Sequence, residues 1–133
     1  MMNKSETYFF IGRILSLGFS PQNRGLVEQT LLSGQMNWNG FVKLCSDNMV
    51  LPAAYLNLQK HQLHKFLPTE LDRYLSEILE LNRARNKSII QQIHYVNRLL
   101  QSAGIDCVYM KGSANLLDGL YDDIGERMMY DID

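Results

Sequence analysis

Only two cysteines occur in 133 residues, and Cys45 and Cys107 lie far apart, each in an apolar run. Neither belongs to a Cys-x-x-Cys or Cys/His cluster, so both are expected to be reduced, buried and small, with no disulfide framework or cysteine metal site. An excess of charge of one sign is missing too: 13 Lys and Arg against 14 Asp and Glu leave a formal net charge of −1. Charge therefore gives no argument for a nucleic-acid partner, which needs a clustered basic face. No apolar stretch approaches the roughly 18 residues that a membrane span requires. The N-terminal run YFFIGRILSLGF is broken by Arg13 and lacks a small-residue cleavage site, which argues against a signal peptide. Together these absences imply a cytoplasmic protein with no membrane partner.

What is present is ordinary globular composition, 46 % hydrophobic and 20 % charged, at a length that suits one domain or one domain plus part of a second. Apolar residues fall at helical spacing from Thr7 to Leu17, closed by Gly18. Ser20-Pro21 starts a second helix, with Ser20 as N-cap and Pro21 in the first turn, ending at Ser33-Gly34. A third begins at Asn37 or Asn39 and a fourth covers about Pro52 to Gln59. Thr69 opens a fifth, with Asp72 where a capping-box acid would sit. It continues without Pro or Gly to about Ser102, on the order of 50 Å, and Gly104 ends it. The polar stretch Asn82 to Lys87 in its middle reads as a solvated segment between two packed ends. His61 and His64 share a helical face but have no third ligand, so they read as a solvated helix end. His94, Trp38 and the cluster Tyr8, Phe9, Phe10 read as core or boundary packing.

Cys107 to Asp133 has a different texture. Ile105 to Met110, bounded by glycines, predicts a short buried strand. Lys111-Gly112-Ser113 is a tight turn opening a short helix from Ala114 to about Leu120, where backbone N–H groups and the Ser113 hydroxyl would face a phosphate. A second strand ending on Asp131-Ile132-Asp133 would set Arg127, Asp131 and Asp133 on one face and bury Met128, Tyr130 and Ile132. Two carboxylates about 7 Å apart at the backbone suit one or two Mg²⁺ ions. Arg127 would orient them, contact phosphate, or pair with Glu126, Asp122 or Asp123. A Gly-Ser turn or an acid-apolar-acid end is common when taken alone; their succession is the informative feature.

In that succession the tail resembles the start of the nucleotidyltransferase fold of the polymerase-beta superfamily. More closely, Met110-Lys111-Gly112, Arg127 and Asp131-Ile132-Asp133 resemble an uncharacterised bacterial nucleotidyltransferase family. The resemblance covers about residues 105–133, and the upstream helices fit in outline. It implies transfer of a nucleoside monophosphate from an NTP to a hydroxyl of an acceptor (small molecule, protein or nucleic acid) with Mg²⁺ as cofactor. Asp131 and Asp133 would be the catalytic metal ligands, and Gly112 and Ser113 would bind phosphate. Lys111 and Arg127 occupy matching positions on the nucleotide side. The chain departs from the superfamily pattern in the 17 residues between Ser113 and Asp131 and in having no later strand with a third carboxylate.

The expected architecture is thus α+β. A helical region over residues 1–103 with a long helix precedes the first strands of a mixed nucleotidyltransferase sheet over 104–133, incomplete and inactive by itself. Unpaired sheet edges and the long helix would permit self-association. The competing expectation is a non-catalytic helical interaction or regulatory module, or a degenerate nucleotidyltransferase.

Overall fold

The structure, a computed structural model, describes residues 1–133. Six α-helices follow one another: α1 Lys4–Leu15, α2 Pro21–Leu32, α3 Trp38–Asp47, α4 Leu51–Lys60, α5 Thr69–Ser102 and α6 Lys111–Leu117, with a 3₁₀ turn at His64–Phe66 before α5. The chain divides into two compact units, Met1–Ile78 and Leu79–Asp133, and α5 contributes to both.

In the first unit α1 packs against α2, α3 and α4. It starts earlier than its apolar spacing predicts because Asn3 and Glu6 form a reciprocal cap: the Glu6 N–H donates to Asn3 Oδ1 (3.0 Å) and the Asn3 N–H to Glu6 Oε2 (2.8 Å). Ser20 does occupy the N-cap of α2 ahead of Pro21, but its hydroxyl makes no capping hydrogen bond. Asn37 caps α3 by accepting from the Gly40 N–H at 2.9 Å. Phe10, Ile14, Val27, Phe41 and Leu58 are wholly buried, each worth about 1.5–3 kcal/mol of transfer free energy. Phe10 and Trp38 both meet the Phe41 ring edge-on, with centroids 6.2 and 5.9 Å away. The expected aromatic cluster is split, since helical geometry sends Phe10 inward and leaves Tyr8 and Phe9 exposed. Asp72 serves the core edge, its carboxylate accepting the Tyr55 hydroxyl at 2.9 Å.

The second unit corrects the α+β expectation. No strand and no sheet forms; residues 105–110 and 128–133 carry no regular secondary structure. The two segments do meet, but through one backbone hydrogen bond, from the Met110 N–H to the Asp133 carbonyl (3.0 Å), which is not a ladder. Two short segments with only each other to pair with are marginal as a sheet. Residues 105–110 are anchored on α5 by side chains instead: the Cys107 thiol donates to Asn97 Oδ1 (3.0 Å) and the Tyr109 hydroxyl to the Ile93 carbonyl (3.2 Å).

The side-chain alternation expected at the C-terminus also fails, although Arg127 and Asp131 are exposed. Met129 is buried, whereas Tyr130 is 70 % exposed and Ile132 lies at the surface. On α5, Asn82 and Asn86 are buried rather than solvated, sharing a face with Leu79 and Ile93, while Ala84, Arg85 and Lys87 are exposed. His94 is exposed, not core. Gly104 ends α5 as expected, in a left-handed conformation (φ 72°) with the Ile105 N–H closing onto the Leu100 carbonyl at 2.9 Å.

Candidate functional site

Five of the six residues singled out in the tail come together around the first turn of α6. Lys111 begins that helix with a left-handed backbone (φ 53°), a conformation that disfavours a side chain and tends to persist where surrounding contacts impose it. Its ammonium donates to Asp133 Oδ1 at 3.0 Å, with the Lys111 side chain 71 % exposed and that of Asp133 27 % exposed. The Ser113 hydroxyl is fully buried and accepts the Asp133 N–H at 3.0 Å. Together with the Met110 bond to the Asp133 carbonyl, this holds Asp133 through both its backbone N–H and its backbone carbonyl.

Gly112 sits beneath the two side chains that cross it. A β-carbon there would lie 2.6 Å from Met129 Sδ and 2.9 Å from Arg127 Nε, so the absence of a side chain is what admits both. Arg127 is exposed, and one of its terminal nitrogens donates to the Tyr121 hydroxyl at 3.3 Å. The Asp123 carboxylate is held by Arg83. Asp131 is exposed and stands outside this set of contacts.

The loop that carries Arg127 is held by α5. Arg83 grips Asp123 with two nitrogens, Nε to Oδ1 (3.0 Å) and Nη2 to Oδ2 (2.6 Å), and also bonds Glu80. The Asp123 hydrogen bonds keep the Arg83 guanidinium protonated beyond its ordinary range, against the opposing effect of desolvation. Asn82 Nδ2 donates to the Gly125 and Arg127 carbonyls (2.7 and 2.9 Å), and Asn86 Nδ2 to the Ile124 and Arg127 carbonyls (2.6 and 2.7 Å). None of these α5 residues, nor Tyr121 or Met129, is among those the sequence motifs single out. The available signal was two asparagines four residues apart on the helix face that also carries Leu79 and Ile93.

The implied magnesium can be weighed against the donors present. Asp131 and Asp133 offer the hard oxygen atoms that Mg²⁺ takes, and that ion commonly uses one or two protein carboxylates and leaves its other positions to water and phosphate. Of the two, Asp133 brings its carboxylate into the cluster, paired with Lys111, while Asp131 stays outside it, and no three His, Cys, Asp or Glu side chains converge as a metal-binding group. A cavity of about 460 Å³ beside α1, lined by Glu6, Phe9, Arg13, Thr30 and Gln35 among others, belongs to the first unit and includes none of the tail residues. No helix is long and apolar enough to cross a membrane.

Compared with known proteins, the chain matches no curated protein and no solved structure. The family model described as "Uncharacterised nucleotidyltransferase" does match, over residues 34–133, a span that takes in α3 to α6 and the whole of the candidate site. The chain belongs to this uncharacterised nucleotidyltransferase family.

Proposed function

We propose that the first turn of α6 and the C-terminal segment bind a nucleoside triphosphate for magnesium-dependent transfer of its nucleoside monophosphate to a hydroxyl of an acceptor. Family membership supports the reaction class. The observation that carries the residue assignment is the convergence of Lys111, Gly112, Ser113, Arg127 and Asp133, which lie up to 22 residues apart in sequence, as Lys111 and Asp133 do.

In such a reaction the acceptor oxygen bonds to the α-phosphorus, and the bond from that phosphorus to the bridging oxygen breaks. Pyrophosphate leaves with the electron pair, and the hydroxyl proton passes to a base or to solvent. Little covalent chemistry falls to the protein; its work is positioning and charge. Lys111 brings an accessible point charge and Arg127 a planar fork suited to phosphate oxygens. The Gly112-Ser113 turn supports both sides: Gly112 admits Arg127, and Ser113 fixes the backbone of Asp133. Asp131 and Asp133 would hold magnesium, which when bound supplies neutralisation of the triphosphate charge. The Lys111–Asp133 ion pair is solvent-accessible and so held weakly enough to exchange for a cation and a phosphate.

Calorimetric titration of MgATP, MgCTP, MgGTP and MgUTP into the chain and into Lys111→Ala, Arg127→Ala and Asp131→Asn tests this reading. At least one nucleotide should bind, and each substitution should weaken it about tenfold, the equivalent of about 1.4 kcal/mol for one charge-assisted contact. Failure of all four nucleotides to bind, or binding indifferent to all three substitutions, would overturn it in favour of a non-catalytic helical module.

A further inference from the structure

We propose that Asn82 and Asn86 are positioning residues, which set where Arg127 stands by holding the backbone of its loop. This rests on the nucleotide reading above for its functional consequence, but its structural basis is independent.

Burying an amide in a helix–loop contact is unfavourable unless its hydrogen-bonding groups are met, and an apolar face would avoid the problem altogether. α5 buries two amides, one at 6 % and one at 0 % exposure, on the face that Leu79 and Ile93 continue. Both amide nitrogens donate to one target: the carbonyls of Ile124, Gly125 and Arg127, three of four consecutive residues. The Arg127 carbonyl accepts from both asparagines. Asn86 Oδ1 meanwhile lies buried without a partner, so this side chain is oriented for its donors at the expense of its acceptor.

The neighbouring contacts have the same target. Arg83, between the two asparagines, holds Asp123, and Asp123 Oδ1 accepts the Gly125 N–H at 2.8 Å. Gly125 lies so close to α5 that a β-carbon there would be 2.6 Å from Arg83 Cγ and 2.9 Å from Leu79 Cδ1. The loop backbone is therefore fixed from Asp123 to Arg127. The Arg127 side chain, by contrast, is exposed and has the Tyr121 hydroxyl at 3.3 Å as its hydrogen-bond partner. An exposed arginine so lightly held takes its place over Gly112 from its backbone, and the asparagines define that backbone. Its ligand would be a triphosphate oxygen pair, for which the placement of a guanidinium fork matters more than its charge alone.

The test uses the whole chain with Asn82→Ala, Asn86→Ala, Arg127→Ala and the Asn86→Ala/Arg127→Ala double substitution. Without nucleotide, each asparagine variant should move the NMR resonance of the Arg127 Nε–H and accelerate amide exchange at Gly125 and Arg127, while amides of α1 to α4 keep their protection. With nucleotide, Asn86→Ala should weaken MgATP, or whichever of the four Mg-nucleotides binds, about tenfold. The double variant should then be no weaker than Arg127→Ala, because both remove the same contact. An unmoved Arg127 Nε–H in both asparagine variants, additive losses in the double variant, or collapse of the whole fold in both single variants would overturn the proposal. A displaced Arg127 Nε–H in a chain that binds no nucleotide would uphold the positioning role while removing the nucleotide reading.

Discussion

Asn86→Asp exchanges one amide nitrogen for an oxygen, and the structure says what that oxygen would meet. Nδ2 lies 2.6 Å from the Ile124 carbonyl and 2.7 Å from the Arg127 carbonyl, on a side chain with no solvent exposure. An ionised carboxylate would set its charge against two carbonyl oxygens at those distances, so the folded chain would hold the acid protonated. One O–H then serves one carbonyl, and the lost hydrogen bond with the oxygen–oxygen contact costs about 2 kcal/mol even at low pH. Full burial raises a carboxyl pKa by up to roughly 3–5 from its usual value of about 3.9. The folded state thus retains a proton that the unfolded state has released, and stability falls as pH rises from about 4 through the folded pKa. Each pH unit in that window widens the gap from the parent chain by about 1.4 kcal/mol, so by pH 7 the total is on the order of 6 kcal/mol, comparable to the whole stability of a small domain. Urea unfolding of both chains at intervals from pH 4 to 8, followed by circular dichroism, measures the gap directly. A gap that stays constant across this range would refute the reasoning, because it would mean that the substituted oxygen reaches water or a donor.

Two further outcomes follow from burial and close approach. Burial pushes the Cys45 thiol up to about 12. Its contribution to stability is therefore complete below the ordinary thiol value of 9.0 and is lost as pH rises from there toward 12; replacing Cys45 by Ala should flatten this alkaline fall, and a thiol reagent at pH 8 should label Cys107 in the native chain and Cys45 only on unfolding. Gly112→Ala and Gly125→Ala should separate binding from stability. At Gly112 the new methyl meets the ends of the flexible Met129 and Arg127 side chains, so stability should change by less than about 1 kcal/mol while nucleotide affinity falls; at Gly125 it meets Arg83 Cγ and buried Leu79, and the cost should be about 1–3 kcal/mol by urea unfolding.

Much of the helical part was legible in the sequence because its signals are local. Pro21, Asn37, Thr69 and Gly104 mark ends through their own backbone preferences, and apolar spacing between them gives the helices. The tail fails for the opposite reason. A strand is stabilised by its partner, and the β-branched and aromatic run at 105–110 carries only the propensity, not the pairing. Met129 shows why the expected faces fail. Alternation with Asp131 and Asp133 as outward-facing acids would turn Met129 outward too, yet packing against Gly112 draws it inward and Asp133 lies over Ser113. Without a ladder, strict alternation does not apply.

The site divides along the same line. Lys111, Gly112, Ser113, Arg127 and Asp133 could be picked out because residue type and order are visible in one dimension. What holds them could not be, because it consists of contacts across some forty residues: Asn82 to Gly125, Arg83 to Asp123 and Asn86 to Ile124. The polar stretch from Asn82 to Lys87 contains two alternating populations. Arg85 and Lys87 are solvated, as charge suggests, whereas Asn82 and Asn86 fall at the spacing of Leu79 and Ile93 and go inward. Polarity alone assigned all of them to water. An asparagine on the apolar stripe of a long helix is better read as a buried donor in search of a backbone carbonyl, since an amide without a partner there would be selected against by its own desolvation cost. On that reading the stripe itself forecasts an irregular segment docked on α5 at this level, and residues 124–127, which lead into Arg127, are the ones whose carbonyls meet the two amides.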